Sequence, residues 1–481
     1  MLDQSFTCEN FKIIYDLENR KGNFEKKFYS EHYIKIIDEI RDIRNEIKTE
    51  KARGISDDFL GFLLERKKTL EEKKENLLEN ELTKFSKEIN KDTFSFKLNS
   101  FIPAPGEKPI YTTDKDAVSY FTMKQLQHNI YRTFKVKQSN RYQLVKQLKL
   151  LLQDNFPKVI IRTDIRSFYE SVPQLELLKL IENNTLLSPK SKSLIKSLLY
   201  SYNELTGQLT IDKTKRKGIP RGTGVSPYLS ELFMRSIDNE IKNLEYISFY
   251  GRYVDDIIII FSPKSNNSFC NYLEEIKKII NKKGLELSED LVRPTRSKTF
   301  ELDLVNPSIN KHINFLGYKF VINNSLLACV KLSDNKKDKY KSRVEKSLID
   351  FLKEEKHNQI AANKLLIHRI NYLTKNTRLH QPKRGMIGIY YSNSLLDNNS
   401  SCLDELDVSL HSIIDTHLVK ANHINLKNKL KTYSFKKGFE EKLFFNINSK
   451  RKKIPDIRSP KYKRSKPLMN NFERIVSIWK S

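Results

Sequence analysis

The sequence has few cysteines, no long apolar run and no histidine pair at metal-ligand spacing. Its four cysteines are scattered over 481 residues without a C-x-x-C pair, which argues against a zinc module and suits a reducing cytoplasm. The nine histidines include no H-E-x-x-H pattern. No stretch approaches the roughly 20 apolar residues of a membrane span. The first ten residues lack the basic-then-apolar pattern of a signal peptide, so we expect a cytoplasmic location.

What the chain has in excess is positive charge. Its formal net charge is +28, although 38% of its residues are hydrophobic. Such a chain is globular in composition and long enough for two to four domains, yet its field attracts polyanions. Nucleic acid is therefore the first candidate partner, and a membrane surface is the second.

The N-terminal part is predicted to be helical. From about Phe24 to Asn90 the chain is rich in Lys, Glu, Ile and Leu, and it contains no proline. Helical spacing relates four isoleucines, Ile36, Ile40, Ile43 and Ile47. The segment Gly54–Asp57 supplies a break between two helices. We favour a charged helical hairpin packed on the next domain, and a docking arm for RNA or a partner protein is the alternative.

Three further segments are predicted to be basic, and the first two of them helical. Asp116–Leu152 interleaves basic and aromatic residues, as a phosphate-facing surface does, although a solvated helix face has the same composition. Residues 336–380 read as amphipathic helices. After His417 come the clusters Ser449–Lys453 and Lys461–Arg464. With tyrosine among them and Trp479 at the end, they favour RNA contact over a merely solubilising tail.

An adjacent pair of aspartates lies between two apolar runs in the segment Tyr246–Ser262. Both runs lack helical periodicity. They predict a β-hairpin with Asp255 and Asp256 at the turn and a second strand buried on both faces. Buried acids are costly unless a cation meets them, and hard cations such as Mg²⁺ take oxygen ligands. Taken alone, however, such a pair is more often an ordinary solvent-facing turn.

A third acid changes that balance. The segment Lys158–Tyr169 reads as a short buried strand that ends at Asp164, about ninety residues before the hairpin. In a sheet this strand end could lie beside the paired aspartates. Three carboxylates there could hold two metal ions roughly 3.5–4 Å apart, the arrangement for in-line nucleotidyl transfer. One ion would lower the pKa of a 3′-hydroxyl, and the other would stabilise the leaving pyrophosphate.

A glycine-rich loop lies between these two acidic elements. Residues 218–227 read Gly-Ile-Pro-Arg-Gly-Thr-Gly-Val-Ser-Pro, and the glycines would let the backbone approach a ligand closely. Ser226 is predicted to cap the following helix, with Pro227 as its first residue. A glycine-rich loop that leads into a helix is by itself only weak support for phosphate binding.

In this order and spacing the motifs resemble those of the reverse transcriptases. An Asp-x-x-x-Phe-Tyr strand end at Asp164, the loop 218–227 and a Tyr-x-Asp-Asp hairpin at Tyr253 look like motifs A, B and C. Gly284–Thr299 is similar to motif D and Asn314–Tyr318 to the primer grip, motif E. Asn140-Arg141-Tyr142 resembles the fingers motif that precedes motif A. The resemblance covers roughly residues 96–330 well.

The family resemblance implies an α+β right-hand polymerase with fingers, a palm built on an antiparallel sheet, and a helical thumb. We place a helical N-terminal extension at 1–95, fingers and palm at 96–335 and the thumb at 336–420. A basic C-terminal extension follows at 421–481.

The resemblance also implies which residues carry out the chemistry. Asp164 and Asp255 would ligate two Mg²⁺ ions, with Mn²⁺ as a substitute, and Asp256 would support them. Ile165 is a further predicted metal-binding residue. Lys298 would donate a proton to pyrophosphate.

A second implied group binds the incoming nucleotide. Tyr169 would be a steric gate that crowds a ribose 2′-hydroxyl and so favours deoxynucleotides, although a core aromatic residue would fit the same position. Gly222, Thr223 and Ser226 would line the site near the template–nucleotide pair. Arg141 would reach the triphosphate.

A third implied group contacts template and primer. Many family members carry glutamine where this chain has Arg221, which could instead hold the template backbone by charge. Leu316 and Gly317 belong to the predicted primer grip. Arg343 and Arg378 would face the duplex from the thumb.

The absence of RNase H, His/Cys endonuclease and integrase patterns weakens the retroviral and group II intron alternatives. Retron hallmarks are missing as well, and Tyr372–Asn376 stands where their thumb triplet would be. The sequence therefore looks most like prokaryotic reverse transcriptases of the defence-associated abortive-infection and "unknown group" type. That resemblance implies an RNA template (a structured non-coding RNA), dNTPs and a DNA product as ligands. A protein partner, a homo-oligomer and a polymerase-derived RNA-binding scaffold stay open. No membrane association is expected.

Overall fold

The structure is a computed structural model that describes residues 3–20, 29–54, 57–263, 271–289, 298–304, 311–379, 385–397, 401–446 and 471–479. Contacts divide the chain into two compact units. Unit 1 comprises Met1–Gln138, Ile165–Ile241 and Lys277–Glu286, and unit 2 comprises Ser139–Asp164, Lys242–Ile276 and Leu287–Ser481.

The described residues contain helices in both units and strands in four sheets. The α-helices are α1 (Cys8–Arg20), α2 (Glu31–Arg53), α3 (Asp57–Ile89), α4 (Ala117–Phe134), α5 (Arg141–Leu151), α6 (Phe168–Ser171), α7 (Gln174–Glu182), α8 (Pro189–Leu205), α9 (Ser226–Lys242), α10 (Tyr272–Lys282), α11 (Asp334–Glu354), α12 (Gln359–Thr374), α13 (Cys402–His417), α14 (Ile424–Lys431), α15 (Phe435–Glu440) and α16 (Asn471–Val476). The strands are β1 (Leu98–Phe101), β2 (Ile110–Thr113), β3 (Val159–Asp164), β4 (Ile247–Tyr253), β5 (Asp256–Phe261), β6 (Phe300–Asp303), β7 (Lys311–Phe315), β8 (Tyr318–Asn323), β9 (Leu326–Leu332), β10 (Asn376–Arg378) and β11 (Met386–Gly388).

In unit 1 the predicted charged hairpin is formed by α2 and α3. The α2 residues at helical spacing, Tyr33, Ile36, Ile40 and Ile43, are buried, whereas Ile47 is half-buried. Gly54 ends α2 in the left-handed conformation at φ 71°, which costs glycine little. Helix α3 packs on α2, α1 and α4, as the packed-hairpin interpretation requires. The predicted helix over Asp116–Leu152 is divided, because Lys135 adopts φ 54° at the end of α4.

Unit 2 contains the sheet that carries the predicted strand end and hairpin. Its strand order is β4-β5-β3-β6, and all neighbours are antiparallel. The run Ile257–Phe261 of β5 is fully buried, which confirms the prediction of a strand covered on both faces. The backbone N–H and C=O groups of a fully buried strand need hydrogen-bond partners on both edges. Strand β5 has them, because it pairs with both β4 and β3.

A three-stranded sheet and a helical layer complete the core of unit 2. Strands β7, β8 and β9 form an antiparallel meander. The predicted amphipathic helices α11 and α12 pack together, and α13 packs on α11. Their inward side chains, which include Val344, Leu348 and Ile370, join the same cluster as Phe320 of β8. Each such fully buried aliphatic side chain contributes about 1.5–3 kcal/mol of burial free energy. No helix in the described ranges combines the length and apolar character needed to cross a membrane.

The C-terminal end folds back onto the helices of unit 2. The Trp479 indole donates to the Arg343 carbonyl at 3.0 Å and to Ser347 Oγ at 3.2 Å. Its ring stacks on Tyr372 with a centroid distance of 5.7 Å. Trp479 is therefore a half-buried packing residue here, and RNA contact by the tail stays a prediction. The basic clusters at 449–453 and 461–464 lie outside the described residues.

Trp479→Ala is expected to lower the free energy of unfolding of unit 2 by about 2 kcal/mol. That is below the usual cost of a fully buried aromatic truncation, because the indole is only half-buried. Thermal unfolding followed by circular dichroism measures the change. Val408→Ala, at a 70% exposed position on α13, serves as the control and should unfold like the wild type. Equal stability of both variants would contradict the packing role.

Candidate active site

The three predicted acids meet at one end of the four-stranded sheet. Asp164 is the last residue of β3, Asp256 is the first residue of β5, and these two residues pair directly across the strands. Asp255 lies in the turn that joins β4 to β5. One carboxylate oxygen from each side chain lies within 4.8 Å of the others. We call these residues the acidic triad.

The turn that presents Asp255 carries backbone strain. Val254 adopts φ 61°, a conformation that is unfavourable for a β-branched residue. Such outliers persist only where the surrounding structure holds them, and they concentrate at functional sites. Here the buried run Ile257–Phe261 of β5 and the two neighbouring strands supply that support. On the other side of the site, the Asp164 carbonyl accepts the Ser288 N–H at 2.7 Å.

Burial and mutual repulsion raise the free energy of the triad when its three carboxylates are ionised and no metal is bound. Burial raises the pKa of Asp255, and the negative charge of Asp164 raises it further. Burial also raises the pKa of Asp256, although the positive charge of Arg162 partly offsets this effect. Crowded acids of this kind favour binding of a cation.

Two cationic side chains already contact the triad. Lys298 Nζ lies 2.7 Å from Asp164 Oδ2, and Arg162 Nη2 lies 2.6 Å from Asp256 Oδ1. Arg162 also donates through Nη1 to the Lys298 carbonyl at 2.6 Å. Formally, the three acids and two cations leave one negative charge in excess.

Sequence reasoning did not identify Arg162. It lies two residues before Asp164 on β3, so both side chains are on the same face of the strand. That alternation was the available signal. The pairing of Asp164 with Asp256 brings Arg162 within reach of Asp256, and this contact depends on the register between strands that are distant in sequence.

In unit 1 the glycine-rich loop is held by its own side chains. The Ser226 hydroxyl donates to the Pro220 carbonyl at 2.7 Å and lies 2.7 Å from Thr223 Oγ1. Ser226 is the first residue of α9 rather than its cap, because its hydroxyl is engaged with the loop. Gly222 adopts φ 105°, and a Cβ atom there would lie 2.9 Å from the Tyr111 carbonyl. The loop therefore requires glycine at this position.

Tyr169 and Arg221 are anchored to this loop region through their backbones. The Tyr169 carbonyl accepts the Ile219 N–H at 2.8 Å, and the Arg221 carbonyl accepts the Tyr111 N–H at 2.7 Å. The Tyr169 side chain is half-buried, and Arg221 is exposed. Ile165, also in unit 1, is buried, and only its main-chain carbonyl offers a ligand atom.

Comparisons with known proteins match the part of the chain that carries these motifs. A family model described as "Reverse transcriptase (RNA-dependent DNA polymerase)" matches residues 108–320. These residues form a reverse transcriptase domain. The acidic triad, Lys298 and the glycine-rich loop all lie inside it. The reverse transcriptase domain has the α+β right-hand polymerase fold that the sequence predicted.

Solved structures of telomerases are also similar to this chain. The apo enzyme from Candida tropicalis, truncated from its C-terminal domain, is 17% identical over 50% of this chain and 55% of its own, with a TM-score of 0.32. The Candida albicans enzyme with a TWJ fragment of telomeric RNA is 12% identical over 73% and 68%, with a TM-score of 0.34. This chain thus spans about half the length of the first of these. TM-scores this low support no conclusion about function. No curated protein matches the chain.

The predicted primer grip of the reverse transcriptase domain is a tight turn between β7 and β8. Leu316 and Gly317 adopt φ 46° and 78°, the positive values of a type I′ hairpin turn. Arg141 Nε donates to the Leu316 carbonyl at 3.2 Å, and the guanidinium lies 5.4 Å from the centre of the Tyr318 ring. Arg141 thus contacts the primer-grip turn. Its predicted contact with the triphosphate stays a prediction.

The two predicted duplex-facing arginines lie beyond the reverse transcriptase domain and differ in their surroundings. The Arg343 guanidinium lies 5.5 Å from the centre of the Trp479 ring, so it is partly occupied by an intramolecular contact. Arg378 ends β10 and is exposed. Of the two, Arg378 presents the more accessible positive charge.

Proposed function

We propose that this protein is a divalent-metal-dependent RNA-directed DNA polymerase that adds dNTPs to a 3′-hydroxyl. The observation that carries the proposal is the acidic triad, with carboxylate oxygens within 4.8 Å of one another inside a reverse transcriptase domain. A scaffold that had lost its chemistry would have no reason to keep three carboxylates so close together.

The donor set fits two Mg²⁺ ions, with Mn²⁺ as a substitute. All three side chains offer hard oxygen ligands, and burial of Asp255 and Asp256 makes a cation the favourable partner. Asp164 and Asp255 would hold the metal, Asp256 would support them, and Ile165 would contribute its carbonyl. When bound, the metal supplies positive charge that lowers the pKa of the 3′-hydroxyl and stabilises pyrophosphate as it leaves.

The protein's own side chains have separate tasks in this proposal. Arg162 holds Asp256 in place through its 2.6 Å contact. Lys298 gives its proton to the departing pyrophosphate. Tyr169 excludes ribonucleotides, and the loop residues Gly222, Thr223 and Ser226 line the nascent base pair. Arg141 binds the triphosphate.

The template is proposed to be a structured non-coding RNA, copied in bacterial antiviral defence. The net charge of +28 supports an RNA partner, because phosphate neutralisation dominates such affinities. Template and primer would be contacted by five residues: Leu316, Gly317, Arg221, Arg343 and Arg378. The defence role rests on the family resemblance, and the proposed cytoplasmic location rests on the scattered cysteines. A group II intron-like or retron-like enzyme is the alternative within the same class.

The decisive test is incorporation of labelled dNTPs by purified protein with the RNA that co-purifies with it. We expect DNA synthesis in Mg²⁺ or Mn²⁺, loss of synthesis in a chelator, and a DNA product complementary to the RNA by sequencing. Binding of RNA without any incorporation would instead identify an RNA-binding scaffold. To test the defence role, phage challenge should compare cells carrying the wild-type protein with cells carrying Asp164→Ala.

RNA affinity is expected to fall steeply as salt increases. Each phosphate neutralised by Lys or Arg releases counterions, and six to ten such contacts lower affinity by about 10³–10⁵ between 50 and 200 mM salt. A filter-binding titration at several salt concentrations measures the slope. A salt-insensitive affinity would show that the positive charge of this chain is not what binds RNA.

A further inference from the structure

Lys298 pairs with the most buried acid of the triad. Asp164, its partner, is the most buried of the three acids, with a side chain 7% exposed. The Lys298 side chain itself is 57% exposed, so its stem reaches the acid from the solvent side. The ammonium therefore neutralises Asp164 without being enclosed by the site.

Arg162, the second cation, is held differently. Its side chain is 12% exposed, and it bonds both Asp256 and the Lys298 carbonyl. A planar guanidinium with two hydrogen-bond partners loses more interaction free energy when it leaves than a largely exposed ammonium with one partner does. The two cations thus differ in how readily they can leave.

The main chain at Lys298 is held by hydrogen bonds, whereas more than half of its side chain is exposed. Arg162 bonds its carbonyl at 2.6 Å, and the next residue, Thr299, places its hydroxyl 2.7 Å from Thr163 Oγ1. Thr299 Oγ1 also donates to the Ser288 carbonyl at 3.1 Å. The ammonium can therefore leave Asp164 by rotation of side-chain bonds alone, with no change in the main chain.

We propose that Lys298 is an exchangeable counter-ion that leaves Asp164 when a divalent cation binds and then serves an anionic ligand. The inference rests on the proposed function, since it assigns Lys298 a second state within the same site. A doubly charged ion between three carboxylates outcompetes one ammonium at a single carboxylate. The main chain keeps Lys298 beside the site, where its ammonium can form an ion pair with a phosphate group of the substrate.

The exchange predicts opposite changes in metal affinity for two substitutions of one residue. Lys298→Met removes the competing charge at similar length, so the protein should bind Mn²⁺ about two- to fivefold more tightly, the fold-change of a partly exposed ion pair. Lys298→Arg keeps the charge and adds a forked contact to Asp164, so Mn²⁺ binding should weaken. Lys319→Met is the matched control, because Lys319 lies on β8, outside the four-stranded sheet, and pairs with Asp334. This variant should bind Mn²⁺ like the wild type.

Mn²⁺ titration of the full-length protein without nucleotide, followed by electron paramagnetic resonance, measures these affinities directly. Equal or weaker binding by Lys298→Met, or unchanged binding by Lys298→Arg, would overturn the exchange. Because the two variants must shift in opposite directions, a general folding defect cannot imitate the result. If the wild type binds no Mn²⁺ at all, the proposed metal-dependent function fails as well. If the wild type binds Mn²⁺ and polymerises while the variants do not shift, only the exchange fails.

Discussion

Asp255→Asn is expected to reduce nucleotide incorporation by about a thousandfold while making the metal-free protein more stable. The loss follows from the removal of one negatively charged oxygen ligand from a set that lies within 4.8 Å. The gain follows from the electrostatics of the same group. A site that is crowded with acids for the sake of metal binding is unfavourable for folding when the metal is absent.

The sign of the stability change follows from the pKa of Asp255. Burial and the charge of Asp164 raise this pKa in the folded protein above its unfolded value of 3.8. At neutral pH the ionised carboxylate therefore costs folding free energy. The cost disappears as the pH falls through the raised folded pKa, because the folded state then takes up the proton. Asparagine carries no charge, so the variant avoids the cost at neutral pH, and its advantage over the wild type should shrink in acid.

Urea unfolding in a chelator, at neutral pH and at about pH 4, measures this difference, which we expect to be about 1 kcal/mol at neutral pH. Added Mg²⁺ should stabilise the wild type by binding the folded state, and it should do so far less for Asp255→Asn. Asp338→Asn, an exposed acid on α11, is the control and should match the wild type in activity and stability. If Asp255→Asn incorporates nucleotides as fast as the wild type, Asp255 is not a metal ligand.

The features that the sequence predicted well are those encoded by short-range patterns. The buried run Ile257–Phe261 identifies β5 without any knowledge of its neighbours, because a β-branched run of that length is too short for a buried helix. Gly54 likewise marks the end of α2 locally. The three acids could be grouped because each follows or precedes such a run, so each lies at the end of a strand or in the adjoining turn.

The features that the sequence did not predict depend on contacts between distant segments. Arg162 meets Asp256 only because β3 and β5 pair in one particular register. Trp479 lies 107 residues after Tyr372, and nothing in its neighbourhood indicates that it packs there rather than on a base. Lys298 was predicted as a proton donor, but its ion pair with Asp164 follows from the fold alone.

Tyr169→Ala is expected to admit ribonucleotides that the wild type excludes. The wild-type preference for dNTPs over rNTPs should fall by about a hundredfold, as expected when a steric barrier in a binding site is removed. The Tyr169 side chain is half-buried, with its ring centre 5.5 Å from that of Phe168, whereas Phe168 is 3% exposed and belongs to the core. The Tyr169 carbonyl accepts the 2.8 Å hydrogen bond from the Ile219 N–H, so truncation of the side chain should not move helix α6.

Single-nucleotide incorporation with dNTPs and rNTPs in parallel gives the two rates for each variant. Tyr169→Phe is the matched control, because exclusion by bulk needs the ring and not the hydroxyl, so this variant should keep the wild-type preference. Loss of preference in Tyr169→Phe would point to a hydrogen bond instead. If the wild type accepts rNTPs as readily as dNTPs, the enzyme is an RNA-dependent RNA polymerase built on the same palm. If Tyr169→Ala stays selective, Tyr169 is a packing residue and the discrimination lies elsewhere in the site.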